Sequence, residues 1–492
     1  MSALREALGA FEWVVLGYLV ALNVSYTLLL GLGWSEISRW VRRRRLRDFD
    51  VIAGSELSLP VSIIVPAFDE AKVIVASVRS LLGAHYPNFE VVVVNDGSSD
   101  ATLDELRAAF NLVRVGRVPR SRLDTQPVRG VWVGAGDERI VVIDKENGGK
   151  ADALNAGLSY ARYPLFCAVD SDTMLDPDAL PRLVWHFQAR PETVACGGIV
   201  RIVNGSSVDG TRVTRVRTPR SLIVNLQIVE YLRAFLVGRT GWSRLGMLLI
   251  ISGAFGMFRR EAVIEAGGYA TDTVGEDMEL VVRLQRQHRE RGLPYRAAFV
   301  ADPVCWTEAP TGLRALARQR DRWQRGLLET LMTHRGMIGR PRYGRTGMIA
   351  LPYLVVFEAL GPLLEALAYP LTAVALALGW VHPGVALGIL ALTFTYGLAL
   401  SFGALRIEER AFQRYARWRC LGRLMVAVVV ENFGYRQWST LVRARAMWTL
   451  LRRPGHWGSV ARIGYHVEVP TPERLPATLC LLYTSPSPRD RS

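Results

Sequence analysis

No charged residue falls between Glu12 and Glu36, and the run is long enough for one membrane-spanning helix, which needs about 20 apolar residues. Arg39 and the cluster Arg42-Arg43-Arg44-Arg45 come after it, whereas only Arg5 precedes it. Basic residues stay on the cytoplasmic side of a span, so the N-terminus is expected outside and the chain after Trp40 inside. A cleaved signal peptide carries its basic residues before the apolar run; here they come after it. Residues 1–40 are read as an N-terminal transmembrane helix and 41–58 as a basic linker. Residues 59–312 are then expected on the cytoplasmic side.

Residues 59–312 have the pattern of a soluble α/β domain. Four short apolar runs, 61–65, 91–94, 140–143 and 165–169, are continuous rather than alternating. That is expected of parallel strands covered by helices on both faces. Residues 71–82 and 102–110 have helical composition between them. Such a doubly wound layer binds ligands beyond the carboxyl ends of its strands.

Those ends are acidic. The first strand leads to Asp69-Glu70, the second to Asn95-Asp96-Gly97-Ser98 and the fourth to Asp170-Ser171-Asp172. Two carboxylates just past a buried strand suit a hard divalent cation, which leaves its other positions to water and phosphate oxygens. Alone, Asp-x-Asp equally suits a solvated turn capping a helix. Three acidic clusters at one sheet edge repel one another unless a positive charge joins them, and Lys150 with a metal ion supplies it in the simplest arrangement. Helix caps account for one or two clusters, and poorly for all three. Residues 114–139 are basic and contain Pro and Gly, and are read as a surface loop without chemistry. Residues 217–258 are aromatic and aliphatic but interrupted by charge, and are expected to pack on the sheet or lie at the membrane surface.

Helical periodicity returns at Leu313, with Leu316, Arg320, Trp323, Leu327 and Leu331 near one face. Residues 313–346 are read as amphipathic interfacial helices, residues 347–406 as transmembrane helices bent at Pro352, Gly361-Pro362 and Pro370, and 407–479 as a cytoplasmic or interfacial segment. Residues 480–492 look like a translated sequencing adapter. Half of the 492 residues are hydrophobic and the formal charge is +15. The arginines border apolar segments rather than line an aromatic groove, which speaks against nucleic acid. Five scattered cysteines, without a close pair or a neighbouring His, predict neither zinc nor disulfides.

With these motifs in order, the chain resembles the membrane-bound family 2 glycosyltransferases, including the processive branch with synthases of cellulose, chitin, hyaluronan and poly-N-acetylglucosamine. The resemblance rests on Val65-Pro66-Ala67-Phe68-Asp69-Glu70, Asn95-Asp96-Gly97-Ser98, Gly148-Gly149-Lys150, Asp170-Ser171-Asp172, Gly275-Glu276-Asp277 and Gln319-Arg320-Asp321-Arg322-Trp323. Asp69 stands where Asn is common, and Asn95 where a second Asp is common. The resemblance implies a GT-A fold, an α/β domain that binds a UDP-sugar, flanked by transmembrane and interfacial helices. By the same likeness Ala67, Phe68 and Glu70 hold uridine and Asp96 contacts the nucleotide. Lys150 and Asn155 lie beside phosphate and sugar. Asp170 and Asp172 hold Mg²⁺ or Mn²⁺ on the diphosphate. Asp277 is the base, and Gln319, Arg322 and Trp323 line the pyrophosphate and acceptor end. An inverting single displacement giving a β-linkage is also implied by the family.

The chemistry agrees. Expelling UDP requires charge neutralised on the leaving diphosphate, and the incoming hydroxyl requires a carboxylate to take its proton. Asp277 remains for that once Asp170 and Asp172 are committed to metal, while Glu276 reads as a helix-entry residue. The expected partners are a UDP-sugar donor (UDP-GlcNAc or UDP-Glc), a growing glycan or a lipid acceptor, and membrane lipids, with room for an export or accessory subunit. The expected place is the cell (inner) membrane, multi-pass, with the catalytic domain cytoplasmic. Two alternatives stand: non-processive transfer of one sugar to a lipid carrier, and a nucleotide-binding membrane protein without turnover. The Gln319 to Trp323 motif speaks against the first, and the four acids Asp96, Asp170, Asp172 and Asp277 against the second. Trp323 is either an interfacial anchor or a platform on which a sugar stacks.

Overall fold

The computed structural model describes residues 2–44, 55–209 and 212–450. Most of the expected basic linker, residues 451–479 and the adapter-like tail lie outside the described residues.

Helix α1 (Ser2–Arg44) opens the chain. Next comes a ten-stranded sheet, built from β1 (Val61–Ala67), β2 (Phe89–Asp96), β3 (Leu112–Val115), β4 (Val128–Gly134), β5 (Ile140–Lys145), β6 (Leu165–Val169), β7 (Met174–Leu175), β8 (Thr193–Ile202), β11 (Phe255–Arg259) and β12 (Arg296–Thr307). β9 (Ser207–Asp209) and β10 (Arg212–Arg215) form a separate hairpin. The order across the sheet is β3-β4-β5-β2-β1-β6-β11-β8-β12-β7. The four strands expected from continuous apolar runs sit together at β5-β2-β1-β6, parallel to one another, and β2, β5 and β6 are buried along their whole length. Burial on both faces is why their sequences do not alternate.

The helices packed on this sheet are α2 (Ile74–Leu82), α3 (Thr102–Phe110), α4 (Lys150–Tyr160) and α5 (Ala179–Ala189). α6 (Leu222–Tyr231) continues through π-helical turns at Leu232–Arg239 into a last α-turn, Thr240–Arg244. α7 (Arg260–Glu265), α8 (Glu276–Glu290) and α9 (Leu313–Thr333) complete the domain. Register sets the functional edge. Ala67 pairs with Asn95, and Asp96 with Lys145, so the loops leaving β1, β2 and β5 emerge side by side.

One expectation is corrected. Residues 114–139 are not simply a loop, because β3 and β4 extend the sheet there as antiparallel strands. β4 carries just three consecutive apolar residues, Val131, Trp132 and Val133, after the exposed Arg129 and between Gly130 and Gly134, so it lacks the longer apolar run of the central strands. Arg107 of α3 and Arg114 of β3 cover Trp132, their guanidinium carbons 5.0 and 5.8 Å from the ring.

Among the described residues three helical stretches are long and apolar enough to cross a membrane: Glu6–Arg42, Thr346–Ala377 and Ala386–Ala411. The second, α10, contains π-helical turns and an internal Pro370, which cannot donate to the helix ladder. The third lies in α11 (Pro383–Ala411). α12 (Trp418–Val430) and α13 (Arg436–Leu450) are separated by a bend at Phe433 and Gly434. α11 is fastened to the sheet by a buried bidentate pair, Arg201 Nη1 and Nη2 standing 2.9 and 2.6 Å from the Glu408 carboxylate oxygens. Removing one member of such a pair costs about 3–5 kcal/mol, since the other charge is left buried alone.

Candidate active site

The site is assembled around the turn before α4. Gly149 has φ +87°, a conformation in which a side chain is strained, and it places Lys150 as the first residue of the helix. Lys150 Nζ reaches Asp170 Oδ1 at 2.7 Å, past the end of β6, and Glu276 Oε1 at 3.3 Å, at the start of α8. Burial disfavours the ammonium, but Asp170 and Glu276 outweigh it and its pKa is raised. Glu276 is buried, which pushes its carboxyl upward against the opposing pull of Lys150. One lysine thus joins three elements that end at this edge.

Asp96 and Asn155, both expected near the ligand, are held by protein partners. Asp96 is 3% exposed, and its carboxylate accepts from Lys145 Nζ (2.6 Å), Gly148 N (3.1 Å) and Gly149 N (2.7 Å). Its oxygens face the protein because Asp96 pairs with Lys145 in the sheet, so it fixes the glycine turn below Lys150. Asn155 is buried, and its amide both donates to Tyr269 O (2.9 Å) and accepts from Tyr269 N (2.7 Å). It holds the chain before α8 instead of facing the cavity. Sequence reasoning missed Lys145, which is buried between Asp96 and Asp152. A lone lysine ending an apolar strand was its only signal.

The nucleotide end is open. Phe68 is 47% exposed, a flat ring beside the half-buried Glu70, while Ala67 is buried at the strand end. Asp69 has φ +56°, a region Asn and Asp tolerate, and its carboxylate accepts from Ser99 N at 2.7 Å. That bond ties the loop after β1 to the loop after β2.

A cavity of about 1510 Å³ runs inward from this edge. Lys150, Asp170, Asp277, Gln319, Arg322 and Trp323 line its domain end, and Tyr18, Tyr26, Tyr369 and Phe394 of the apolar helices line the other. Asp277 Oδ2 accepts from Gly253 N at 2.9 Å and Oδ1 from Met278 N at 2.8 Å, which fixes the plane of the carboxylate. Trp323 is 38% exposed, with Tyr231 and Phe235 at ring-centroid distances of 6.4 and 6.3 Å. The Arg320 guanidinium carbon lies 4.3 Å from the Trp323 ring centroid, and Arg320 Nη2 is 2.8 Å from Glu230 Oε2. Gln319 Oε1 is buried without a hydrogen-bond partner among the described residues.

The donor set fits a hard cation shared with a ligand. Asp170 and Asp172 offer carboxylate oxygens at one strand end and are both partly accessible. Among the described residues no group of three His, Cys, Asp or Glu could hold an ion by protein atoms alone. Phosphate and water oxygens would complete the shell.

Residues 62–266 match the Glycosyl transferase family 2 model and residues 165–400 match Glycosyl transferase family group 2. The chain is 28% identical over 274 residues to poly-beta-1,6-N-acetyl-D-glucosamine synthase of Staphylococcus aureus strain COL, covering 55% of each chain. It is 26% identical over 275 residues to the enzyme of the same name from Staphylococcus epidermidis strain ATCC 35984, again covering 55% of each. It therefore spans about half the length of these curated relatives. Among solved structures, mannosyltransferase PcManGT from Pyrobaculum calidifontis is similar at 21% identity and TM-score 0.49, over 85% of this chain and 99% of that one. Two overlapping domain matches, on a sheet whose strand ends carry the ordered acidic motifs, identify residues 62–400 as a family 2 glycosyltransferase region with a GT-A fold.

Proposed function

We propose that the protein transfers a sugar from a UDP-sugar, UDP-N-acetylglucosamine first among candidates, to the end of a growing β-linked polysaccharide by inverting single displacement. The observation that carries this is the cavity of about 1510 Å³, which joins Lys150, Asp170 and Asp277 to the space between α1, α10 and α11 past Trp323. A site for small soluble acceptors needs no such extension. The names of the staphylococcal relatives support the polymer and the choice of N-acetylglucosamine. The three apolar helices and the arginines bordering them support a multi-pass protein with the domain on the cytoplasmic side, where UDP-sugars are made.

In this reading Phe68 stacks on uracil and Glu70 lies beside it. Lys150 and Arg322 face the diphosphate and stabilise the charge that develops as UDP leaves. Asp170 and Asp172 would hold Mg²⁺ or Mn²⁺, which adds positive charge at the same oxygens. The Asp277 carboxylate takes the proton of the incoming hydroxyl while that oxygen attacks the anomeric carbon and the electrons of the broken bond leave with UDP. Asp96, Lys145 and Asn155 keep the walls in place. Trp323 offers its flat ring to the acceptor sugar, which can move to the next register without breaking a fixed set of hydrogen bonds.

The test is UDP release by purified protein in lipid nanodiscs against a panel of UDP-sugars, with product size measured. One donor is expected to give polymer, with EDTA abolishing activity and Mn²⁺ or Mg²⁺ restoring it. A single-sugar glycolipid would establish the lipid-carrier alternative, and full activity in chelator would remove the metal.

A further inference from the structure

Arg239 is a buried cation in the cavity wall for which the reaction above has no role. It ends the π-helical turns Leu232–Arg239, is 7% exposed, and lines the same cavity as Asp277 and Trp323. Its guanidinium carbon lies 3.9 Å from the centroid of the Phe235 ring, which fixes the plane of the group. Its Nη1 is buried without a hydrogen-bond partner among the described residues. Other cations of this wall are neutralised: Arg320 by Glu230 at 2.8 Å, Arg233 by Glu431 at 2.6 Å and Arg443 by Glu358 at 2.8 Å. Burial lowers the Arg239 pKa to about 10, with the charge of Asp277 opposing the drop, so the group stays cationic near neutral pH.

A buried charged donor without an acceptor is costly, and proteins keep one where a ligand supplies the acceptor. The surroundings define that ligand. Phe235 stands between Arg239 and Trp323, and Tyr231 lies 4.4 Å from Phe235 centroid to centroid, so aromatic faces border the donor. An apolar face beside an N–H edge matches a pyranose, whose C–H face stacks while its hydroxyls project sideways. Asp277 lines the same space, and its charge acts on the Arg239 guanidinium.

We propose that Arg239 is an acceptor-binding residue, its guanidinium donating to a hydroxyl oxygen of the terminal acceptor sugar, next to the hydroxyl that faces Asp277. This rests on the transferase reading of the cavity. Arg239 moves no proton. It holds the ring so that the neighbouring hydroxyl points its hydrogen at Asp277 and a lone pair at the anomeric carbon. The donor side, on Phe68, Glu70 and Lys150, is independent of it.

The test uses full-length protein in nanodiscs carrying Arg239→Gln or Arg239→Lys, each shown folded by its thermal transition. Three quantities are measured: UDP affinity by calorimetry, hydrolysis of UDP-N-acetylglucosamine by water, and transfer to an added short β-linked N-acetylglucosamine oligosaccharide. In Arg239→Gln the KM for the oligosaccharide is expected to rise roughly tenfold or more, as for a lost charged hydrogen bond, with UDP affinity and hydrolysis within about twofold of wild type. Arg239→Lys, which keeps the charge, is expected to fall between and serves if the glutamine variant does not fold. An unchanged oligosaccharide KM would overturn the proposal. So would UDP affinity falling together with transfer, which would put Arg239 on the donor side. Wild-type protein that binds no UDP would instead remove the transferase reading, and this proposal with it.

Discussion

A Cβ on Gly275 would lie 2.7 Å from Gly326 Cα, so the start of α8 and the middle of α9 meet backbone to backbone. Gly275 leads into Glu276 and Asp277, and Gly326 lies one helical turn beyond Trp323. The contact therefore sets the base against the acceptor platform. Gly326→Ala forces the helices apart and is expected to cost about 1–3 kcal/mol, as overpacking does. Turnover should fall by more than UDP affinity, because Phe68, Glu70 and Lys150 are on other elements. A thermal transition and calorimetry with UDP check both parts; unchanged turnover in a folded variant would show that the spacing is not critical.

A second tie between the same helices is electrostatic. His334, at the end of α9, has Nε2 3.1 Å from Glu279 Oε1 on α8, and Arg283 Nη2 is 2.8 Å from Oε2. Burial would raise the Glu279 carboxyl, but His334 and Arg283 outweigh it and hold it below its ordinary 4.5. A depressed carboxyl contributes stability that is present above the unfolded value of 4.5 and is lost as pH falls through the folded pKa. Glu279→Gln should cost about 3 kcal/mol near neutral pH and flatten the loss of melting temperature below pH 4.5. Parallel melting curves for variant and wild type across that range would contradict the assignment.

Trp323→Ala removes the platform without touching the donor side. Polymer formation is expected to fall several-fold more than hydrolysis of the UDP-sugar by water, about what losing one stacked ring of 0.5–1.5 kcal/mol gives. The check is the ratio of polymer formed to UDP-sugar hydrolysed, in protein with a normal thermal transition. An unchanged ratio would make Trp323 an anchor of α9 and nothing more.

Legibility of the molecule followed burial. The parallel strands β5-β2-β1-β6 are covered on both faces, so each is a continuous apolar run that can be read directly. β4, next to the edge strand β3, is only partly buried and carries exposed arginine, and its strand character was lost in the basic composition around it. The acidic motifs were visible as residues, but the partners of Asp96 and Asn155 were not. Sequence order says nothing of Lys145 lying across from Asp96 or Tyr269 beside Asn155. Arg239 was equally hidden, a basic residue after an apolar run whose burial depends on α6 folding over the cavity.

The central claim is that Asp277 is the base of a UDP-sugar transfer, and Asp277→Asn tests it most directly. UDP release with the preferred donor is measured beside UDP affinity, in folded protein. Turnover is expected to fall at least about 100-fold, as when a general base is lost, with UDP affinity within about twofold of wild type. Turnover near the wild-type rate, or an equal fall in UDP affinity, would contradict it.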